Sequence, residues 1–195
     1  LLNALVRVLD DRGTHAYLMA PTGRAAKVLT YKTGRHASTI HKGIYSTNTG
    51  RDGGIQMKLA HNDHPNGSWY LIDEASMLSD RREGGSYAVR GVLTDLLEFV
   101  YQDTEANRIV FVGDYAQLPP VGELLSPALR KRDLQTHYGL SVQGITLRDV
   151  KRQALESGVL ANATRLRQAI DQHASLEGLR AGEAGFQGTF RTVAY

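Results

Sequence analysis

Two short segments place acidic and amide side chains directly after apolar runs: Leu71-Ile72-Asp73-Glu74-Ala75-Ser76-Met77 and Val112-Gly113-Asp114-Tyr115-Ala116-Gln117-Leu118-Pro119-Pro120-Val121. A buried parallel strand ends this way when it presents polar groups to a phosphate-bearing ligand. Asp73 has the chemistry to hold a magnesium ion, chiefly through water, because that ion keeps part of its hydration shell. Glu74 can orient or deprotonate the water that attacks a phosphoryl group. Gln117 can donate to a γ-phosphate oxygen and accept from the same water. Behind it, Pro119 and Pro120 stiffen the turn and offer no backbone donor. Taken alone, the acidic pair reads more readily as an N-cap for the following helix than as a catalytic pair. Two such strand ends in this order, with a helix-length segment between them, point to an ATP-driven motor acting on nucleic acid.

Other clusters carry weaker chemistry. Ala20-Pro21-Thr22-Gly23-Arg24-Ala25-Ala26-Lys27 runs from a strand end into a helix N-terminus. Its free N–H groups, the Thr22 hydroxyl, Arg24 and Lys27 suit a backbone phosphate, and ordinary helix capping is the alternative. Thr39-Ile40-His41-Lys42 is a second polar cluster, in which a lone histidine is more often structural. Arg152, after the apolar residues 145–150, stands where it could reach a γ-phosphate and stabilise transition-state charge. His61-Asn62-Asp63-His64 mimics a metal site, but in a polar, Gly-rich loop it reads as solvated.

The elements that must position these groups alternate between strand and helix, which implies a parallel sheet covered on both faces. Strands are expected over 15–20, 69–73, 108–112 and 145–150, and a further one is expected to begin within 188–195. Helices are expected over 1–12, 23–31 and 38–44. The stripe Val89, Val92, Leu93, Leu96, Leu97, Val100 marks another. A last helix buries Val159, Leu160, Ala163, Leu166 and Ile170. In the first helix Leu1, Leu2, Leu5, Val6 and Leu9 share one face. Residues 46–68 are poor in large apolar side chains and rich in glycine. They read either as a disordered loop or as a protruding hairpin with residues 55–59 as one arm. Residues 80–86 read as a polar loop.

At 195 residues the chain is long enough to bury one core, and its net charge of +3 permits nucleic-acid binding without requiring it. With no cysteine, disulfides, thiol catalysis and Cys-based zinc sites are excluded, in keeping with a cytoplasmic protein. No apolar run is long enough for a membrane span. No phosphate-gripping GxxxxGK[ST] run occurs, Gly23-Arg24 and Gly113-Asp114 being the nearest approaches. Since the chain also opens on Leu1-Leu2-Asn3, a fragment starting just downstream of such a loop is expected.

Together these segments resemble the RecD-like helicases, the 5′-to-3′ branch of superfamily 1. Residues 20–27 are similar to motif Ia and 38–41 to the TIH-type motif. Residues 71–77 are similar to Walker B in its DEAS form, 112–121 to motif III in its GDxxQLPPV form, and 150–153 to motif IV. The resemblance implies an α/β RecA-like P-loop NTPase fold, incomplete, with residues 1–170 as a partial first motor domain and 46–68 as a hairpin that splits duplex DNA. Residues 171–195 would lead toward a second motor domain. It implies ATP and Mg²⁺, with Asp73 on the metal, Glu74 activating water, Gln117 sensing the γ-phosphate and Arg152 acting as an arginine-finger-like contact. Thr22, Gly23, Arg24, Lys27, Thr39, His41, Pro119 and Pro120 would line single-stranded DNA. Partners would be single-stranded DNA, duplex–single-strand junctions and, depending on the parent protein, a nuclease complex or a relaxase. Without Walker A and a second motor domain, the chain alone is expected to be inactive. Two other readings stand beside this one: a degenerate RecA-like domain kept for DNA binding or scaffolding, and a related ATPase acting on RNA or in a conjugation or recombination complex.

Overall fold

The computed structural model describes residues 1–49, 55–81 and 90–147. By its contacts the chain divides into a unit of residues 1–143 and a second of residues 144–195, of which only 144–147 are described. Arg152, the helix expected around Val159 to Ile170, the strand within 188–195 and the connection at 171–195 lie outside the described residues.

Helix α1 (Leu2–Asp11) buries Val6 and Leu9 and half-buries Leu2 and Leu5. Leu1, expected on the same face, is 71% exposed because it precedes the first helical turn and contributes its carbonyl to the Leu5 N–H instead. Strand β1 (Ala16–Ala20) leads into α2 (Gly23–Thr33), which stops at Gly34 in the left-handed conformation. The single helix expected over 38–44 divides. Ala37–Thr39 forms strand β2 and only Ile40–Ile44 forms helix α3. The free edge of β1 explains this: Leu18, Met19 and Ala20 pair with Ala37, Ser38 and Thr39 before the helix starts.

Strands β3 (Tyr45–Thr49) and β4 (Ile55–Leu59) form an antiparallel hairpin, so ordered structure wins over the disordered-loop alternative. Strand β5 (Trp69–Ile72) is followed by a 3₁₀ turn (Ala75–Met77), helix α4 (Val92–Tyr101) and strand β6 (Arg108–Phe111). A second 3₁₀ turn (Pro127–Leu129) and helix α5 (Lys131–Thr136) come next. Residues 145–147 form no strand, and Ile145 is 90% exposed. Residues 148–150, the rest of that expected strand, lie outside the described residues.

The main sheet runs β2-β1-β5-β6, all parallel. Successive strand residues point to opposite faces. Met19, Tyr70 and Ile72 therefore pack with Ile40, Ile44, Leu93, Leu96 and Val100 of α3 and α4. On the other face Leu18 and Leu71 pack with Val6, Leu9 and Leu29 of α1 and α2. Among the described residues no helix is long and apolar enough to cross a membrane.

The cluster at residues 61–64 corrects the expectation of a solvated loop. Asn62 donates to the Phe99 carbonyl at 2.8 Å and accepts from the Tyr70 hydroxyl at 3.0 Å. The His64 ring stacks on Tyr17 with centroids 3.5 Å apart, and its Nδ1 lies 3.0 Å from the Tyr70 hydroxyl. Apolar stacking surface and a buried hydroxyl needing a partner draw these two side chains inward, while His61 and Asp63 stay exposed. Among the described residues no group of three potential ligands forms a metal site.

Candidate nucleotide and nucleic-acid site at the carboxyl edge of the sheet

Because the strands are parallel, their carboxyl ends lie side by side, and this edge is where ligands of open α/β sheets bind. Hydrogen bonding continues past the ladder. The Asp73 N–H donates to the Met19 carbonyl at 2.9 Å, that of Val112 to Ile72 at 2.8 Å, and that of Ala75 back to Val112 at 2.9 Å. The acidic pair is thereby fixed between the ends of β1 and β6. Glu74 adopts φ 53°, ψ 38°, and among the described residues it is the one non-glycine residue with positive φ. This left-handed conformation turns the chain sharply out of β5, and a strained residue of this kind at a candidate reactive position is a functional pointer. Both carboxylates are half-buried, and among the described residues neither is engaged in a hydrogen bond or ion pair.

Gly113 marks where the two strand ends touch. An added Cβ there would lie 2.8 Å from the Ser76 backbone nitrogen and 3.0 Å from Leu129 Cδ1. Beyond it, Gln117 closes a turn by donating its N–H to the Asp114 carbonyl at 3.0 Å, and its side chain is exposed. Pro119 is exposed and Pro120 buried, with the Pro120 carbonyl accepting from the Glu123 N–H at 3.0 Å.

Several residues that the spacing did not single out brace these two segments together. The Ser79 hydroxyl donates to Glu123, and the buried Ser126 hydroxyl donates to the Leu78 carbonyl at 2.6 Å. Asp80 accepts from the Thr94 N–H at 2.9 Å and hydroxyl at 2.7 Å, and its other oxygen accepts from Tyr138 at 2.6 Å. No local pattern could have revealed them, since each partner lies far along the chain. Leu118, Val121 and Leu124 of the same loop are exposed.

Toward the other end of the edge, Thr22 and Thr39 are the N-caps of α2 and α3. Thr22 Oγ1 accepts from the Ala25 N–H and Thr39 Oγ1 from the Lys42 N–H, each at 3.2 Å. The capping reading of residues 20–27 therefore holds, Thr39 caps its helix in the same way, and each hydroxyl still has its own proton to donate. Gly23, Arg24, Lys27 and His41 are exposed beside them. The sheet thus brings 22–27, 39–41, 73–74 and 113–120 onto one edge, while Arg152 lies outside the described residues.

A sequence profile described as an AAA domain matches residues 1–184. The chain belongs to the AAA domain family. Its sequence is also 31% identical over 121 residues to the ATP-dependent RecD2 DNA helicase of Deinococcus radiodurans. That match takes in 60% of this chain and 14% of the helicase, so the chain spans a small part of that relative's length. The resemblance to RecD-like helicases carried by the motifs therefore holds. The four-stranded parallel sheet of this family member, with helices on both faces, is consistent with an incomplete RecA-like P-loop α/β fold.

Proposed function

We propose that this chain is part of an ATP-dependent DNA helicase that couples ATP hydrolysis to translocation on single-stranded DNA and to duplex unwinding. The observation that carries the reading is the fixed adjacency of two strand ends, one bearing Asp73 and Glu74 on a left-handed turn, the other bearing Gln117. Residues 1–170 serve as a partial first motor domain, and residues 171–195 lead toward a second.

The Asp73 carboxylate, which has no protein partner among the described residues, would hold a magnesium ion, chiefly through water. When bound, it neutralises charge on the phosphates. Glu74 orients the attacking water and takes its proton, Gln117 contacts the γ-phosphate and that water, and Arg152 supplies positive charge as bonds break. Thr22, Gly23, Arg24, Lys27, Thr39, His41, Pro119 and Pro120 line the path of single-stranded DNA, and the β3–β4 hairpin meets the junction with duplex.

The 195 residues hold no GxxxxGK[ST] run, so by itself the chain is expected to turn over no ATP at a useful rate. The test is ATP hydrolysis by the intact protein, with and without single-stranded DNA. Glu74→Gln should lower the stimulated rate by about 100-fold or more, the scale of a lost general base, while DNA affinity stays unchanged. Hydrolysis that survives this change, or that ignores DNA, would defeat the proposal. DNA binding without any hydrolysis would favour the degenerate binding module.

A further inference from the structure

Asp95 is the one charged residue among the described residues that is fully buried, at 1% exposure, in a core otherwise built from Leu93, Leu96, Leu97 and Val100. Its Oδ2 accepts from the Tyr45 hydroxyl at 2.6 Å. Its Oδ1 has no hydrogen bond and faces Arg90 Nε at 3.5 Å, Arg90 being paired also with Glu98. The charge is thus only partly compensated, and buried charges of this kind are often replaceable by apolar residues without loss of stability. Stability alone does not account for it.

Position supplies the account. Tyr45 is the residue at which α3 ends and β3 begins, and its ring lies 5.6 Å from that of His41. The Ala60 N–H closes the same base by donating to the Ile44 carbonyl at 2.8 Å. Above that base the hairpin leaves the core, with Ser46, Thr47 and Lys58 exposed. On the other side, α4 is held by the segment leaving Glu74: Thr94 by Asp80, and the Leu93 N–H by the Ser79 carbonyl at 3.2 Å. The hairpin base and the candidate nucleotide site therefore both take their reference from the first turn of α4.

We propose that the buried Tyr45–Asp95 bond sets the bearing of the β3–β4 hairpin against α4, so that movements at the nucleotide site reach the hairpin. This rests on reading the edge as a helicase motor. Tyr45 and Asp95 are positioning residues here and contact neither nucleotide nor DNA.

The test is Tyr45→Phe in the intact protein, followed by amide hydrogen exchange and by duplex separated per ATP consumed. Loss of one buried hydrogen bond should speed exchange across β3 and β4 by about 10-fold, with β1 and β5 unchanged. DNA-stimulated hydrolysis should hold while base pairs opened per ATP fall. Asp95→Asn keeps an acceptor for the hydroxyl and should retain hairpin protection. Unchanged exchange in the hairpin, an equal rise throughout the sheet, or unchanged unwinding per ATP despite a loosened hairpin would each overturn the proposal. If the unaltered protein shows no DNA-stimulated hydrolysis, the motor reading fails and with it the coupling, while the exchange result still decides whether the bond anchors the hairpin.

Discussion

Glu74 holds a backbone conformation that side chains with a Cβ avoid, at a cost of about 1–2 kcal/mol. A glycine meets no Cβ clash at the same φ and ψ, and its extra loss of backbone freedom on folding offsets only part of that gain. Glu74→Gly is therefore expected to raise the unfolding free energy by about 1 kcal/mol, read as a higher urea midpoint, while removing the hydrolytic function assigned to this residue. An unchanged or lowered midpoint would show that the turn carries no strain. The sequence made the carboxylate legible as a reactive group, because an apolar run ended on it. The strain was not legible, since the turn is held by the Ala75 N–H bond to the Val112 carbonyl, just past β6 and far along the chain.

Between elements, one close contact is the backbone crossing of the 3₁₀ turn and the end of β6 at Gly113. A methyl group there meets the Ser76 nitrogen, which belongs to backbone and cannot swing aside. Gly113→Ala should cost about 1–3 kcal/mol, as overpacking of a close contact does, and should lower hydrolysis along with stability because it separates Glu74 from Gln117. Equal thermal midpoints for the two proteins would contradict this. How far elements could be read ahead follows the same division. Helices α1, α2 and α4 and strands β1, β5 and β6 follow from apolar periodicity within each segment. Strand β2 was missed because its pairing with β1 decides it, and the inward turn of Asn62 and His64 because Tyr17 and Tyr70 lie on strands outside that loop. The order of the edge clusters was evident from the motifs, whereas their bracing by Ser79, Asp80, Glu123 and Ser126 depends on tertiary neighbours alone.

For the molecule as a whole, the two ends of the sheet do different work. The amino end carries the Tyr17–His64–Tyr70 stack, where burial lowers the His64 pKa below its ordinary 6.5, with Asp63 opposing more weakly. A histidine whose folded pKa is depressed contributes stability that is whole above the unfolded value and is lost as pH falls below it toward the folded pKa. The thermal midpoint should therefore fall on acidification below 6.5, and His64→Gln should flatten that part of the profile. Parallel profiles for the two proteins would refute the assignment. At the carboxyl end, the strand order sets a different quantity. Three strand spacings of about 4.8 Å separate β2 from β6, so the outer strand ends, one leading into His41 of α3 and the other into the loop that bears Gln117, stand about 14 Å apart. On the proposed reading the edge is a ruler graduated in strands, with the His41 contact to nucleic acid beyond β2 and the Gln117 contact to phosphate beyond β6.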